Sequence, residues 1–207
     1  MQLETKFDKL EEFLETLKGD TYPEVPSEPH TSITREMVNW IAGISGLAEK
    51  AKVLDVGCGQ GTALDLFERR GYEAVGVTLN REDVAACRGK GFWVLEMDQS
   101  FLQFPDQEFD LVWCRHCLEH SIFPYFTLAG FLRVLKPGGW LYIEVPAPDT
   151  SCHHETNRNH YSVLGKSMWA DLLKRTGCEL VDAVDIKFTV PAGPDIYWAF
   201  FGRKKAA

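Results

Sequence analysis

The sequence predicts one α/β domain in which a mostly parallel sheet carries helices on both faces. Three observations predict this fold class. Short apolar segments alternate with helical segments from residue 52 onward, glycines cluster directly after the first apolar segment, and two apolar segments close the chain. Alternation of strand and helix is typical of parallel strand pairing with helical crossovers. The length of 207 residues suits a single domain of this kind.

Two helices are predicted ahead of the alternating region. Apolar residues recur there at spacings of three and four, and Gly19 ends the pattern: Leu3, Phe7, Leu10, Phe13, Leu14 and Leu17. The Pro- and Glu-rich segment "DTYPEVPSEPH" reads as a connector. A second helix is expected to begin near Thr34 and to carry Met37, Val38, Trp40 and Ile41.

Seven strands follow from the apolar segments of the remaining chain. In order they are "KVLDV", "EAVGVTL", "FWVLEMD", "FDLVWC", "WLYIEVP", "CELVDAVDIKF" and "DIYWAFFGRK". Helices are predicted between them at "GTALDLFERRG", "REDVAACRGKG", "LAGFLRVLKPGG" and "SVLGKSMWADLLKRTG", the last with Ser162 as its N-cap. We therefore expect a doubly wound, seven-stranded, mostly parallel sheet whose last strand is antiparallel.

Charge and composition exclude several classes of partner. The formal net charge is -8, whereas phosphate backbones and anionic membranes are bound by clustered Lys and Arg. No apolar run is long enough to span a bilayer, and the first residues lack the pattern of a secretory signal. The six cysteines show no disulfide rhythm. We expect reduced thiols, a cytoplasmic location, and neither nucleic acid nor membrane as a partner.

A glycine cluster marks the predicted ligand site. Gly57, Gly59 and Gly61 come just after the strand "KVLDV" and before a helix. In open parallel sheets, ligands bind beyond the carboxyl ends of the strands. Glycines there permit tight turns and close approach of a ligand to the backbone, and amides at the helix start add donors. The cluster predicts a small ligand resting on this loop.

A dinucleotide is the less favoured ligand. The fingerprint G-x-G-x-x-G would require glycine where Thr62 stands, and an acid near the end of the second strand. That strand ends instead with Thr78, Leu79 and Asn80.

The segment "VLDVGCGQG" resembles the nucleoside-binding motif of class I S-adenosylmethionine-dependent methyltransferases. The resemblance continues, in the family's order and spacing, through "YEAVGVTLN", "MDQSFLQFPDQEFDLVWCRHCLEH" and "FLRVLKPGGWLYIEVP". It covers residues 52–146 well, and "NHYS…LLKRTG" is similar to the small-molecule branch called type 11, 12 or 23. It implies a Rossmann-like fold, S-adenosylmethionine as cofactor and S-adenosylhomocysteine as product. It also implies N-terminal helices over the active site (residues 1–50) and a methyltransferase domain (residues 51–207), in one structural domain overall.

The resemblance also implies the cofactor-binding residues. The methionine and ribose side would be lined by Asp55, Gly57, Cys58, Gly59 and Gly61, the adenine side by Asp98, Gln99 and Ser100, and the methionine end by Cys114 and Arg115. Asp55 has loop bracing as an alternative role, and Asp98 has turn capping. The family usually carries an acid at position 78 that binds the ribose. Here Thr78, with Leu79 and Asn80 beside it, must substitute.

His116 and His120 are the candidate catalytic residues. They are four apart and share a face if the segment is helical, with Glu119 next to them. Either histidine suits the role of general base. A metal pair and hydrogen-bonded packing are the alternatives. Cys114-x-x-Cys117 has the spacing of half a zinc site, but the matching half is absent from the sequence, so we predict no metal.

Substrate contacts are predicted from two segments. His160 and Tyr161 of "NRNHYS" would orient the acceptor, with a solvated surface loop as the alternative. Trp40, together with Phe7 and Phe13, would roof the pocket, as in similar enzymes.

The predicted function is methyl transfer to a small molecule, on an oxygen atom, by in-line displacement. A protein that binds S-adenosylmethionine or S-adenosylhomocysteine without methyl transfer is the first alternative. An NAD-binding oxidoreductase is the second. Nucleic-acid modification is disfavoured by the net charge and by "CRHC" standing where a base-flipping signature would be. The identity of the acceptor is left open, as is the choice between monomer and dimer.

Overall fold

A seven-stranded sheet forms the centre of the computed structural model, which describes residues 5–19 and 21–206. Its strand order is β3-β2-β1-β4-β5-β7-β6. The strands are β1 (Lys52–Val56), β2 (Glu73–Thr78), β3 (Val94–Glu96), β4 (Phe109–Arg115), β5 (Leu135–Pro146), β6 (Cys178–Val190) and β7 (Gly193–Lys204). Strands β1 to β5 pair in parallel, and β7 runs antiparallel to both β5 and β6. The predicted fold class is confirmed.

Helices cover both faces of this sheet. They are α1 (Lys6–Lys18), α2 (His30–Ser45), α3 (Thr62–Glu68), α4 (Arg81–Gly89), α5 (Pro124–Val134) and α6 (Lys166–Arg175), with short 3-10 turns at Leu118–His120 and His154–Thr156. Apolar residues of α2, α3 and α4 share one buried cluster, and those of α5 and α6 share the other. Val53 and Leu54, successive in β1, belong to opposite clusters, since side chains alternate along a strand.

The burial of the parallel strands explains why they could be predicted from apolar runs in the sequence. After Lys52, every residue of β1 is buried, because helices cover both faces of a central parallel strand. Edge strand β6 instead alternates between exposed and partly buried residues. None of the described helices is both long enough and apolar enough to cross a membrane.

Several predicted boundaries differ from the structure. Helix α5 begins at Pro124, ahead of the predicted segment, and β5 begins at Leu135, where the predicted helix and turn were expected to continue. Helix α2 begins at His30, and the Thr34 hydroxyl donates to the His30 carbonyl at 2.9 Å within it. Helix α6 begins at Lys166 after Gly165. Ser162 is therefore not its N-cap, and its hydroxyl donates to the Ser121 carbonyl at 2.7 Å. The third strand is shorter than expected. In the first helix, Leu3 lies outside the described residues.

Candidate active site

The carboxyl ends of β1, β2 and β4 open into a pocket with two lobes. The first lobe has a volume of about 140 Å³ and the second about 480 Å³. Residues common to both are Tyr22, Glu24, Gly57, Gly59, His116 and His120. Further walls of the first lobe include Thr78, Leu79, Asn80, Asp83, Asp98, Gln99 and Ser100. Further walls of the second include Asp55, Cys58, Arg115, Glu119, His160 and Tyr197.

The glycine loop lies on the floor of both lobes. Gly57 has φ +74°, and a Cβ built on it would lie 2.5 Å from the Cys117 Cβ. The backbone amides of Gly57 and Cys58 donate to the Val77 carbonyl at 2.9 and 3.1 Å. These amides tie the loop to β2. The pocket floor is therefore backbone without side chains at the glycines. The amides of Gly57 and Cys58 are bonded to Val77 and are not free to bind a ligand.

Gly61 and Cys114 lie outside the two lobes, contrary to the prediction that they line the cofactor. Gly61 is the left-handed N-cap of α3, where a Cβ would meet the Phe92 ring at 2.8 Å. Close packing therefore explains this glycine. Cys114 is fully buried among the apolar residues of the sheet.

Asp55 and Arg115 present unpaired polar atoms to the second lobe. Asp55 is 2% exposed, and its Oδ2 has no hydrogen-bond partner in the described part of the chain. Burial raises the pKa of Asp55 well above its usual value. The Arg115 Nη2 likewise lacks a partner among the described residues. Buried polar groups are normally paired, so this acceptor and this donor point to a ligand that carries the opposite groups.

A buried acid on β5 holds Arg115 and His116. The Glu144 Oε1 lies 2.8 Å from the Arg115 Nε and 3.0 Å from the His116 Nε2. Burial, followed by the Arg115 charge, lowers the pKa of His116 to about 3. His116 is therefore neutral near pH 7. It donates its Nε2 proton to Glu144.

His116 and His120 do not share a helical face, so that prediction is wrong. His116 has a left-handed backbone with φ +51°, and the 3-10 turn begins only at Leu118. The His116 ring instead meets Tyr197 edge-on, with ring centroids 3.9 Å apart.

His120 is held in one defined tautomer. Its Nδ1 lies 2.9 Å from the Asn159 carbonyl oxygen. Since a carbonyl can only accept, Nδ1 carries the proton and Nε2 the lone pair. Burial lowers the pKa of His120, so the ring is neutral near pH 7. His160 is held in the same way, with its Nδ1 2.9 Å from the His154 carbonyl. His120 thus has the protonation state that a general base needs.

The first lobe contains a second unpaired acceptor. The Gln99 Nε2 donates to the Cys117 carbonyl at 2.8 Å, and its Oε1 is buried without a partner among the described residues. Asp98 accepts from the Ser100 amide at 2.7 Å, which is the turn-bracing contact foreseen as its alternative role. The Ser100 hydroxyl lies 2.7 Å from the Thr127 hydroxyl. Gln99 therefore has the acceptor free to bind an adenine amino group.

The predicted substrate residues separate into two groups. His160 lines the second lobe and Tyr161 the first. Trp40 packs edge-on against Phe201 at 5.4 Å, in the apolar cluster between α2 and the sheet. It lines neither lobe, so its predicted contact with substrate is wrong.

Phe7 and Phe13, the other residues of the predicted roof, are 69% and 50% exposed and line neither lobe. Leu14 and Leu17 of α1 line the first lobe instead, together with Tyr22 of the connector.

Several residues of the site were not predicted from the sequence. Glu24 and Tyr22 lie in a connector whose composition carries no signal for a site. Glu144 had a detectable signal, because a charged residue within the apolar strand "WLYIEVP" requires a buried partner.

Two groups of described residues bring three possible metal-ligand atoms within 4.8 Å of one another. They are Glu119 with His120 and His160, and Cys152 with His154 and Asp195. Neither group includes Cys114 or Cys117, so the Cys-x-x-Cys spacing gathers no third ligand in the described chain. Burial raises the pKa of Glu119 to about 8.

Comparison with known proteins decides the family. A family profile described as a methyltransferase domain matches residues 30–187, which is more than half of the chain. The chain belongs to the class I S-adenosylmethionine-dependent methyltransferases. The family predicted from the glycine motif and the segments that follow it is thus confirmed.

Two curated relatives show how far the similarity extends. The methyltransferase is 32% identical to a ubiquinone biosynthesis O-methyltransferase of Pseudomonas aeruginosa over 124 residues, which cover 56% of this chain and 53% of that protein. It therefore spans about half the length of this relative. It is 24% identical to 27-O-demethylrifamycin SV methyltransferase of Amycolatopsis mediterranei, with 97% of this chain and 82% of that protein covered.

Solved structures share the fold of the methyltransferase at lower identity. A SAM-dependent methyltransferase from Archaeoglobus fulgidus has a TM-score of 0.68 and 21% identity, covering 84% of this chain and 94% of that one. The cyclase SpnF has a TM-score of 0.70 and 20% identity, covering 84% and 81%. Likeness at this identity is evidence for the fold.

Proposed function

We propose that this methyltransferase transfers a methyl group from S-adenosylmethionine to an oxygen atom of a small molecule. The observation that carries the proposal is the His120 tautomer, because a neutral imidazole with its Nε2 lone pair available lines the pocket. When bound, the cofactor supplies an electrophilic methyl carbon on a sulfonium sulfur. The residues of the chain bind the cofactor, orient the acceptor and remove its proton.

The unpaired atoms of the pocket fit this cofactor. S-adenosylmethionine carries an ammonium group, a carboxylate and an adenine amino group. The buried, unpartnered Asp55 Oδ2 would accept from the ammonium, the Arg115 Nη2 would donate to the carboxylate, and the Gln99 Oε1 would accept from the adenine amine. Each pairing removes a desolvation penalty of about 1–3 kcal/mol for an unsatisfied buried group.

The acceptor would occupy the second lobe, where His120 takes its proton. A hydroxyl is a weak nucleophile, and removal of its proton as the new bond forms speeds the reaction. An amine needs no such base. A neutral histidine on the wall of the pocket therefore favours an oxygen acceptor. The two curated relatives, a ubiquinone biosynthesis O-methyltransferase and a 27-O-demethylrifamycin SV methyltransferase, support the same atom type.

Glu144 positions the methionine end of the site. Burial alone would raise the pKa of Glu144, but Arg115 and His116 bring it below its usual value. The resulting carboxylate, fully buried, fixes the Arg115 guanidinium at 2.8 Å. His116 is a positioning residue in this scheme, since its low pKa leaves it a poor base.

The N-terminal segment completes the enclosure in this proposal. Leu14, Leu17 and Tyr22 line the first lobe, and His30 lines the second. Residues 1–50 would thus exclude water from the sulfonium and shape the acceptor pocket, while residues 51–207 carry the cofactor site. The acidic net charge supports a small-molecule acceptor over nucleic acid or membrane, and a cytoplasmic location stays a prediction.

A matched acceptor panel tests the proposal. The purified protein is incubated with S-adenosylmethionine and with catechols, phenols and aliphatic alcohols, alongside the corresponding amines and thiols. Mass spectrometry then detects methylated products and S-adenosylhomocysteine. We expect methylation among the hydroxyl compounds only. Methylation confined to amines or thiols would contradict the oxygen assignment. Tight cofactor binding without transfer to any compound would favour a cofactor-binding protein that does not transfer methyl groups.

A further inference from the structure

The polar side chains at the end of β2 are engaged in the local turn. The Thr78 Oγ1 accepts from the Asn80 amide at 3.3 Å. The Asn80 Oδ1 accepts from the Glu82 and Asp83 amides at 3.0 and 3.1 Å, as the N-cap of α4. Both side chains therefore serve the local turn, and neither carries a negative charge.

Asp83, in the first turn of α4, supplies the carboxyl group that the end of β2 lacks. It lines the first lobe beside Thr78 and Asn80 and is 1% exposed. Its Oδ2 accepts from the Glu24 amide at 3.1 Å. Its Oδ1 is buried and has no hydrogen-bond partner in the described chain. A buried carboxylate oxygen without a donor is costly, so the pocket is built for a ligand that donates hydrogen bonds here.

Glu24 brings a second carboxyl group to the same place. A Cβ built on Gly59 would lie 3.1 Å from the Glu24 Oε2, so this side chain lies directly over the glycine loop. It lines both lobes. Burial raises the pKa of Glu24 to about 7; Arg115 opposes this rise and the Asp83 charge adds to it.

We propose that Asp83 and Glu24 together bind the ribose hydroxyls of the cofactor, in place of the acid that β2 lacks. A vicinal diol donates two hydrogen bonds, and the unpaired Asp83 Oδ1 and the Glu24 carboxyl group can accept them. The hydrogen bond from the Glu24 backbone amide to the Asp83 Oδ2 connects residues 21–29 to α4 at this point. The connector thus takes part in cofactor recognition as well as covering the pocket.

Cofactor analogues test this assignment by calorimetry, without turnover. The ligands are S-adenosylhomocysteine and its 2′-deoxy and 3′-deoxy analogues. In Asp83→Asn, we expect S-adenosylhomocysteine to bind about 10- to 100-fold more weakly, the loss of a hydrogen bond to a charged group. The analogue that lacks the partner hydroxyl should lose less than about 3-fold in the same variant. An equal loss for all three ligands would show that Asp83 acts only through the structure, and would overturn the proposal.

Two further variants keep the test decisive. Thr78→Val removes the hydroxyl at the position where the family usually carries its acid. Because this hydroxyl accepts from the Asn80 amide, we expect any loss of affinity in this variant to be the same for all three ligands. A large loss in Thr78→Val that disappears with a deoxy analogue would assign the ribose to Thr78 and refute the proposal. If Asp83→Asn does not fold, Glu24→Gln is measured by the same criterion. These affinities do not depend on the acceptor, so failure here leaves the oxygen assignment standing.

Discussion

His120 and His160, from separate segments of the chain, meet edge to face with ring centroids 4.8 Å apart. Each donates its Nδ1 proton to a backbone carbonyl, of Asn159 and His154 respectively, at 2.9 Å. Two neutral imidazoles with defined tautomers therefore stand on the wall of the second lobe. This pairing places two proton acceptors at the pocket, each oriented by a backbone carbonyl.

Replacement of His120 tests its role as base. In His120→Gln, we expect kcat for a hydroxyl acceptor to fall about 10²- to 10⁴-fold, the usual contribution of general base catalysis, while the Kd for S-adenosylhomocysteine changes little. Stopped assays and calorimetry measure the two quantities. His153→Gln is the matched control, since His153 is exposed and outside both lobes. Unchanged turnover in His120→Gln would remove it from the mechanism.

The pH profile should show the lowered pKa of His120. Burial lowers this pKa below its usual value of 6.5, so the ring loses its proton, and becomes a competent base, at a lower pH than a free histidine. We expect kcat/KM to rise with pH on the acid side, with a midpoint below 6.5, and to be flat through neutral pH. A midpoint above that value in the wild type, or the same acid limb in His120→Gln, contradicts the assignment.

Asp55→Asn should separate ligand binding from stability. The buried, unpaired carboxyl of Asp55 costs the ligand-free protein stability, and its raised pKa reflects that cost. We expect the variant without ligand to keep or gain thermal stability. The rise in Tm on adding S-adenosylhomocysteine should be much smaller than in the wild type. Thermal melts with and without the ligand check both effects. A large loss of Tm without ligand would make Asp55 a loop brace instead.

Two glycine-to-alanine changes should have opposite signs. Gly61 has φ +86° and the Phe92 ring 2.8 Å from the position of a Cβ, so Gly61→Ala should lower the free energy of unfolding by about 1–3 kcal/mol. Gly130 lies within α5 with nothing within 4 Å of that position. Gly130→Ala should raise the free energy of unfolding by about 0.5–1 kcal/mol. Urea denaturation measures both; equal effects would show that packing against Phe92 does not govern Gly61.

Features set by local sequence were predictable. The seven strands, their alternation with helices and the loop at Gly57 and Gly59 follow from apolar runs and turn residues that are adjacent in the chain. The family resemblance depends on the same continuous segments. Buried parallel strands form nearly continuous apolar runs. Such runs can be recognised in the sequence without knowing which strands pair.

Contacts between distant segments were not predictable from such patterns. The Glu24 amide meets Asp83 across 59 residues, and the His120 ring meets the Asn159 carbonyl across 39. A spacing of four residues placed His116 beside His120, but the left-handed backbone at His116 turned that ring toward Glu144 and Tyr197.

The sequence by itself determined the sheet, the glycine loop and the family, because each depends on residues that are neighbours along the chain. Only the tertiary structure decided which polar groups are buried without a partner, which tautomer His120 adopts, and that Trp40 packs in the core. Those properties depend on the loss of solvent around a group and on hydrogen-bond partners from remote segments. Both arise only when the chain folds.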